Sequence, residues 1–421
     1  MENKSAIFNR SVIAWGLYDW ANSAFPTLVT TFIFATYFTE SVAKNHFIGT
    51  EQWGDAIALS GIIIAFLSPI FGAIADHQGR RKPWLFIFTL LTAICSGALW
   101  YVQPNHRYVV LILSLMVVGT IAFEIATVFY NAMLQSIAPK NYIGRISGWA
   151  WGLGYAGGLS CLILSLILFI KPDVTWFSLN KQTAEPIRIC GPFILVWITL
   201  FSWPLFFLTP DISSKKIRTI DAIRLAFRTL WKTLQGLPQQ KSILLFLIAH
   251  MLYIDGLNTL FAFGGIYAAG TFGMHFSQVL EFGIAMNVTA GLGAAAFAWI
   301  DDYWGAKKTI LISLSLLIIA GIGVILVRTQ LLFWILSLVL GLFVGPIQAA
   351  SRSFMVRIAP PAIVTELFGL FALSGKATAF INPWLVGLLT ATFASQRIGM
   401  SSIFVFLTMG GFLLFFVTEN K

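Results

Sequence analysis

The sequence predicts an all-α membrane protein of twelve transmembrane helices arranged as two six-helix bundles. Three observations carry this reading. The composition is too apolar for a water-soluble fold, apolar stretches long enough to cross a bilayer recur along the chain, and a repeat relates its two halves. Of 421 residues, 58% are hydrophobic and 10% charged, with a mean hydropathy of +0.83. A soluble domain carries about 25% charged residues. This composition excludes a soluble enzyme with one hydrophobic segment, a disordered chain, a disulfide scaffold and a coiled coil.

A hydrocarbon core of ~30 Å takes ~20 apolar helical residues to cross. Stretches near 11–38, 54–75, 83–102, 107–132, 143–170 and 190–209 qualify in the first half. Those near 242–269, 277–300, 308–327, 330–351, 365–391 and 397–417 qualify in the second. Runs such as Leu162 to Ile170 are apolar throughout, so the alternation of a β-barrel strand is absent. The polar N-terminus leads into a first span longer than a signal-peptide core and containing Asp19, which reads as a retained helix.

With the N-terminus in the cytoplasm, most of the 27 basic residues fall on the cytoplasmic side, among them Arg80, Arg81, Lys82, Arg145, Lys215, Lys216, Arg218 and Arg357. An even number of spans then puts both termini in the cytoplasm. The same asymmetry accounts for the net charge of +10 without nucleic acid. The longest polar segment divides the chain into 1–210, a linker 211–241 and 242–421. Within the linker, Ile223, Ala226, Phe227, Leu230, Leu234 and Leu237 recur at helical spacing, with Arg224, Arg228 and Lys232 on another face. Two readings fit: a basic amphipathic helix on the inner leaflet, or a solvated linker helix. Cys95 and Cys161 lie within apolar spans and, with Cys190, form no disulfide framework.

Three pairs of segments relate the halves. Asp19-Trp-Ala-Asn22-Ser23-Ala-Phe25 matches Asp255-Gly-Leu-Asn258-Thr259-Leu-Phe261. Asp76-His-Gln-Gly79-Arg80-Arg81-Lys82 matches Asp302-Tyr-Trp-Gly305-Ala-Lys307-Lys308. Ala138-Pro139 matches Ala359-Pro360, after which Gly148 and Gly154 correspond to Gly369 and Gly375. The pairs fall in the same order at similar spacing. A six-plus-six parallel repeat is a transporter architecture, with the solute site at the repeat interface.

Gly72-Ala-Ile-Ala-Asp76-His77-Gln-Gly79-Arg80-Arg81-Lys82 resembles the signature loop between helices 2 and 3 of the major facilitator superfamily, with His77 in place of the usual basic residue. Tyr18-Asp19-Trp20-Ala21-Asn22-Ser23-Ala24-Phe25 and Gly345-Pro346-Ile-Gln348-Ala-Ala-Ser351-Arg352-Ser353 narrow the resemblance. Together they are similar to the vacuole-effluxer family, the autophagy-linked amino-acid effluxers of fungal vacuoles and their bacterial relatives. The resemblance spans essentially the whole chain. It implies the major facilitator fold, alternating access, and a central cavity lined by helices 1, 4, 7 and 10. It also implies a gating loop of Asp76, Gly79, Arg80 and Arg81, with Asp76 near the N-terminus of helix 11 at Thr365 and Glu366.

An ionisable side chain inside the bilayer costs ~2.5–3.5 kcal/mol on insertion scales, so it marks a functional position by default. Asp19, Glu124, Asp255 and Lys376 are four such groups. Asp19, Asn22, Ser23 and Pro26 share a helical face; Asp255, Asn258 and Thr259 repeat it, and Thr120, Glu124, Thr127 and Asn131 form a third stripe. Such stripes offer a polar solute the hydrogen bonds it gives up on leaving water. The alternative is that the acids pair with Lys376, or with helix ends, and merely hold helices together. With three acids and one base, at least one carboxylate lacks a basic partner, and Glu124 or Asp255 becomes the candidate proton carrier. Facilitated diffusion is the alternative. Gln348 and Arg352 share a face of span 10 beyond the Gly345-Pro346 kink; Arg352 either binds an anionic group or anchors the end of its helix.

Several patterns carry no function. Gly152-Leu-Gly154-Tyr-Ala-Gly157 has the form G-x-G-x-x-G, but no strand precedes it. The five histidines show no metal-ligand spacing, and His250 reads as a satisfied helix residue. Trp53, Trp100, Tyr101 and Trp203 read as interfacial belt residues. No nucleophile with a base and no metal site is arranged at bilayer depth, so an enzyme is not expected, and neither is a cofactor. The expectation is a secondary transporter in the inner (plasma) membrane, acting as a monomer on a small polar solute, amino acids foremost, in the direction of release. An importer of peptide, sugar or siderophore is the runner-up, and a non-transporting receptor or scaffold is the alternative from another class.

Overall fold

The computed structural model describes residues 9–171, 179–211 and 219–418. These residues form helices joined by short turns, with no strand among them. Lipid offers no partner for backbone N–H and C=O groups, so a chain of this composition satisfies them within helices. Eleven helical stretches are long and apolar enough to cross a membrane. They match spans 2 to 12 read from the sequence. Several exceed the apolar run. Span 2 extends over His46–Gln78 and span 10 over Gln330–Ile358. At ~1.5 Å per residue a helix of 33 residues is about 50 Å long, so its polar ends project beyond the hydrocarbon.

Span 1 is one continuous helical path broken in register. Arg10–Asn22 is α-helical, Pro26–Phe32 and Phe38–Val42 are π-helical, and Ile33–Tyr37 between them is α-helical again. Pro26 causes the first change, because it has no N–H to donate to the turn before it. Hydroxyls take over some of that role. Thr27 Oγ1 donates to the carbonyl of Ser23 at 2.8 Å, and Thr30 Oγ1 to that of Pro26 at 2.7 Å. Gly157 of span 5 lies against the backbone of Trp20, where a Cβ would collide with it. Small residues permit this approach of two helices in lipid.

Span 11 is two helices, Val364–Ala377 and Ile381–Phe393. Pro383 explains the break. Its ring excludes the α-helical bond to Ala379, whereas a proline is tolerated in the first turn of a new helix. Ile381 N–H closes the intervening turn on the carbonyl of Thr378 at 2.8 Å.

Two compact units divide the chain. The first comprises Met1–Leu67, Gly79–Tyr130 and Leu153–Ser214. The second comprises Ser68–Gln78, Asn131–Gly152 and Lys215–Lys421, and so adds the ends of spans 2, 4 and 5 to spans 7 to 12. The first unit is centred on an aromatic stack. Trp15 lies 4.4 Å from Tyr130; Trp15 Nε1 donates to the carbonyl of Tyr130, and Tyr130 Oη to that of Trp15, each at 3.0 Å. In the second unit Tyr253 and Ser351 share a hydroxyl–hydroxyl bond of 2.7 Å. His250 is buried, bonded to Ser374 Oγ at 2.7 Å and stacked on Phe371. Tyr101 and Trp203 are exposed as belt residues are, but Trp53 is buried against Phe38, which corrects its interfacial reading.

The linker contains the helix Thr219–Gly236. Of the residues invoked there, Lys215, Lys216 and Arg218 and the side chains of Ile223 and Arg224 lie outside the described residues. The three cysteines are buried and free.

Candidate transport site and gating contacts

Asp19, Asn22 and Glu124 belong to the first unit; Asn131, Asp255, Asn258, Gln348, Arg352 and Lys376 belong to the second. Asp19 and Asn22 occupy the last turns of the α-helical part of span 1, just before the register change at Pro26. Asn22 is buried, Asp19 and Glu124 half-buried.

Asp255 lies mid-way along span 7 (Lys241–Phe272) and is 1% exposed. Neither carboxylate oxygen has a conventional hydrogen-bond partner among the described residues, and the carboxylate forms no ion pair there; it faces the backbone N–H of Asn382. Asn382 is fully buried in the first turn of the second half of span 11; its Oδ1 accepts Ser402 Oγ at 3.0 Å, and its Nδ2 has no partner among the described residues. The break in span 11 therefore aims the start of a half-helix at a buried carboxylate. That terminus carries partial positive charge. Lys376 sits half-buried in the last turn of the first half, where a cation suits the opposite dipole. Thr259 is buried one turn from Asp255, but Asn258 is exposed.

Arg352 is the centre of a second cluster. It is 1% exposed. Nε donates to Ser147 Oγ at 2.9 Å, Nη2 to the carbonyl of Ser147 at 2.7 Å, and Nη1 to Asn131 Oδ1 at 3.3 Å. The guanidinium lies 4.8 Å from the ring of Trp151, whose Nε1 donates to Gln348 Oε1 at 3.2 Å. An arginine stays charged wherever it is buried, so its fork must be met by acceptors. Here spans 4 and 5 supply them. Asn131, Gln348 and Arg352 thus form one network.

At the end of span 2, Asp76 meets the start of span 11. Oδ1 accepts Thr365 Oγ1 at 2.6 Å, and Oδ2 accepts the backbone N–H of Glu366 at 2.9 Å. A carboxylate at a helix N-terminus satisfies free N–H groups and the helix dipole together. The chain turns at Gly79, with φ of +74°. Arg80 is exposed and Arg81 is buried; the backbone N–H of Arg81 donates to Asp211 Oδ1 at 3.2 Å.

The repeat of this loop forms a contact that sequence reasoning missed. Asp302 Oδ1 accepts the backbone N–H of Arg145 at 3.1 Å, at the start of span 5, and Oδ2 pairs with Arg145 Nε at 3.1 Å. Beside it, Arg357 Nη1 pairs with Asp301 Oδ1 at 2.5 Å, and Ser353 Oγ donates to Asp301 Oδ2. Gly305 closes this loop with φ of +90° and ψ of 152°, a region reserved for glycine. The signal was present in the Asp302–Gly305 match, but the basic residues Arg145 and Arg357 read only as topology markers.

A profile of the family described as "Vacuole effluxer Atg22 like" matches residues 56–421. The chain belongs to that family. Its relatives include the uncharacterized MFS-type transporter YxiO of Bacillus subtilis, 27% identical over 98% of this chain and 96% of that protein. The autophagy-related protein 22 of Coccidioides immitis is 21% identical over 86% of this chain and 72% of the fungal one. Among solved structures, the proton:xylose symporter XylE matches with a TM-score of 0.74 at 15% identity, over 100% of this chain and 97% of that one. The human organic anion transporter MFSD10 matches with a TM-score of 0.71 at 14% identity, over 96% and 99%. The fold of this Atg22-like chain is the major facilitator fold of twelve transmembrane helices. It is a multi-pass membrane transporter and not an enzyme.

Proposed function

We propose that the chain moves a small polar solute, amino acids foremost, across the plasma membrane by alternating access coupled to protons at Asp255. The observation that carries the coupling is the burial of Asp255 without an ion pair among the described residues, opposite a half-helix terminus. Intramembrane carboxyls of this kind mark proton relays. Broken helices whose ends face a mid-membrane group are the usual construction of ion and solute sites in transporters. Asp19, Asn22 and Glu124 supply the polar surface of the first unit; Asn131, Gln348, Arg352 and Lys376 supply that of the second. Asp76, Gly79, Arg80 and Arg81 gate the cytoplasmic end, where the basic residues concentrate and both termini lie. The amino-acid reading draws on the family resemblance and on polar stripes that suit a zwitterion. The family description as an effluxer supports release as the direction.

The test is uptake into proteoliposomes of a labelled amino-acid panel, with and without an inward proton gradient. One solute is expected to saturate and to respond to the gradient, and Asp255→Asn is expected to abolish the response while leaving solute exchange. If no amino acid moves with monodisperse protein, the amino-acid reading falls and peptides and sugars become the next panel. If Asp255→Asn keeps the full gradient response, the coupling site lies elsewhere.

A further inference from the structure

The helix Thr219–Gly236 has two faces engaged in different ways. One face is held to the protein. Ala226 and Leu237, just past the helix end, are buried, Thr229 Oγ1 bonds His77 Nε2 at 2.9 Å, and Thr233 faces the side chain of Glu366. His77 follows Asp76, and Glu366 is the residue whose backbone N–H donates to Asp76. Two threonines one turn apart therefore grip both partners of the joint between spans 2 and 11. The other face presents Phe227, Trp231 and Leu234 at 53%, 63% and 42% exposure, flanked by exposed Arg228 and Lys232.

We infer that this helix is a membrane-surface sensor: it docks on anionic phospholipid headgroups and thereby holds the Asp76–Glu366 joint closed. Two features identify the occupant of the open face. The first is composition, since aromatic side chains beside Lys and Arg on a strongly amphipathic helix are those of a helix lying in the headgroup layer. The second is continuity. After the short turn Leu237–Gln239 the chain enters span 7 at Lys241, so the helix is tethered at the bilayer edge, and its positive flank complements an anionic leaflet. In the pose that offers Trp231 to lipid, Thr229 and Thr233 hold the joint. A ligand that binds one pose better shifts the population toward it. Anionic lipid therefore favours the closed joint.

The experiment places spin labels at Gln78→Cys and Ala362→Cys, the native cysteines being buried, and measures their distance distribution in nanodiscs of phosphatidylglycerol or phosphatidylcholine. The short-distance population is expected to be at least two-fold larger in phosphatidylglycerol. Arg228→Gln with Lys232→Gln is expected to erase that difference, as is Thr229→Ala with Thr233→Ala. Phe227→Ala with Trp231→Ala, which leaves every charge in place, is expected to reduce it. Equal populations in the two lipids would overturn the proposal and leave the face to a protein partner. A lipid dependence that survives loss of both basic residues would also overturn it. The readout requires no solute, so it stands apart from the transport reading.

Discussion

Asp302 accepts the backbone N–H of Arg145 at the start of span 5, and it does so in the position that the repeat assigns to the partner of Asp76. Arg145 and Glu366 each stand six residues beyond the proline of their Ala-Pro pair, Pro139 and Pro360. The carboxylate-to-helix contact thus occurs twice, once from each half of the chain. Asp76 also bonds a threonine hydroxyl, and Asp302 also pairs with the Arg145 side chain beside the Asp301–Arg357 pair.

Removing Asp302 leaves Arg145 without that carboxylate in a site only 14% exposed. Breaking a buried pair from one side costs about 3–5 kcal/mol. Asp302→Ala is expected to lower the melting temperature of the purified protein, and to slow transport at least ten-fold with solute affinity within two-fold. A melting temperature unchanged from wild type would remove the ion pair from the account.

Gly305 and Gly273 make opposite demands on a replacement. Gly273 has φ of +66° and ψ of 26°, the left-handed region that asparagine also visits. Gly305, at +90° and 152°, lies where only glycine is at ease, and strain there is worth about 1–3 kcal/mol. Gly273→Asn is expected to keep the wild-type melting temperature. Gly305→Asn is expected to lower it by several degrees, with no advantage over Gly305→Ala. Differential scanning fluorimetry decides between them.

Arg352→Lys keeps the charge of Arg352 and loses its fork. Lysine cannot meet Ser147 Oγ, the Ser147 carbonyl and Asn131 Oδ1 together, nor stack on Trp151 as a plane. Transport is expected to fall more than ten-fold. Amide exchange around Asn131 and Ser147 is expected to quicken. Wild-type exchange in the variant would mean that a point charge is all the site needs.

Pro383→Ala returns the missing donor to span 11. The amides of 379–384 are expected to gain protection from exchange as the two halves join, and the gradient response of uptake is expected to weaken because the terminus facing Asp255 is lost. An unchanged exchange pattern would show that the break has a cause other than Pro383.

Much of this was legible in the residues. The spans follow from apolar runs and the amphipathic linker helix from its periodicity. The loop at Asp76 is a motif, and its meeting with Thr365 and Glu366 is what the family resemblance of that motif implies. What stayed hidden depends on partners distant in the chain. Periodicity puts Asp255 on a polar stripe but cannot say that Asn382, more than a hundred residues on, faces it. Arg145 and Arg357 look like topology charges until Asp301 and Asp302 are beside them. Trp53 has the composition of a belt residue, yet Phe38 covers it. The register changes in span 1 were invisible because a π-turn leaves hydropathy untouched.

Those register changes make span 1 a helix of shifted phase. A π-turn accommodates one residue more than an α-turn, and one residue is worth about 100° of rotation in an α-helix. Span 1 contains two π-helical stretches, Pro26–Phe32 and Phe38–Val42. A single helical wheel drawn from Arg10 to Val42 therefore misassigns the later residues by about a quarter turn after the first stretch and roughly twice that after the second. Deleting one residue within Pro26–Phe32 would re-phase the helix, swinging Asp19 and Asn22 away from their present azimuth while leaving every apolar residue of the span in lipid-compatible helix. Such a deletion separates the orientation of a polar face from the capacity to insert, two properties that substitutions in a regular helix change together.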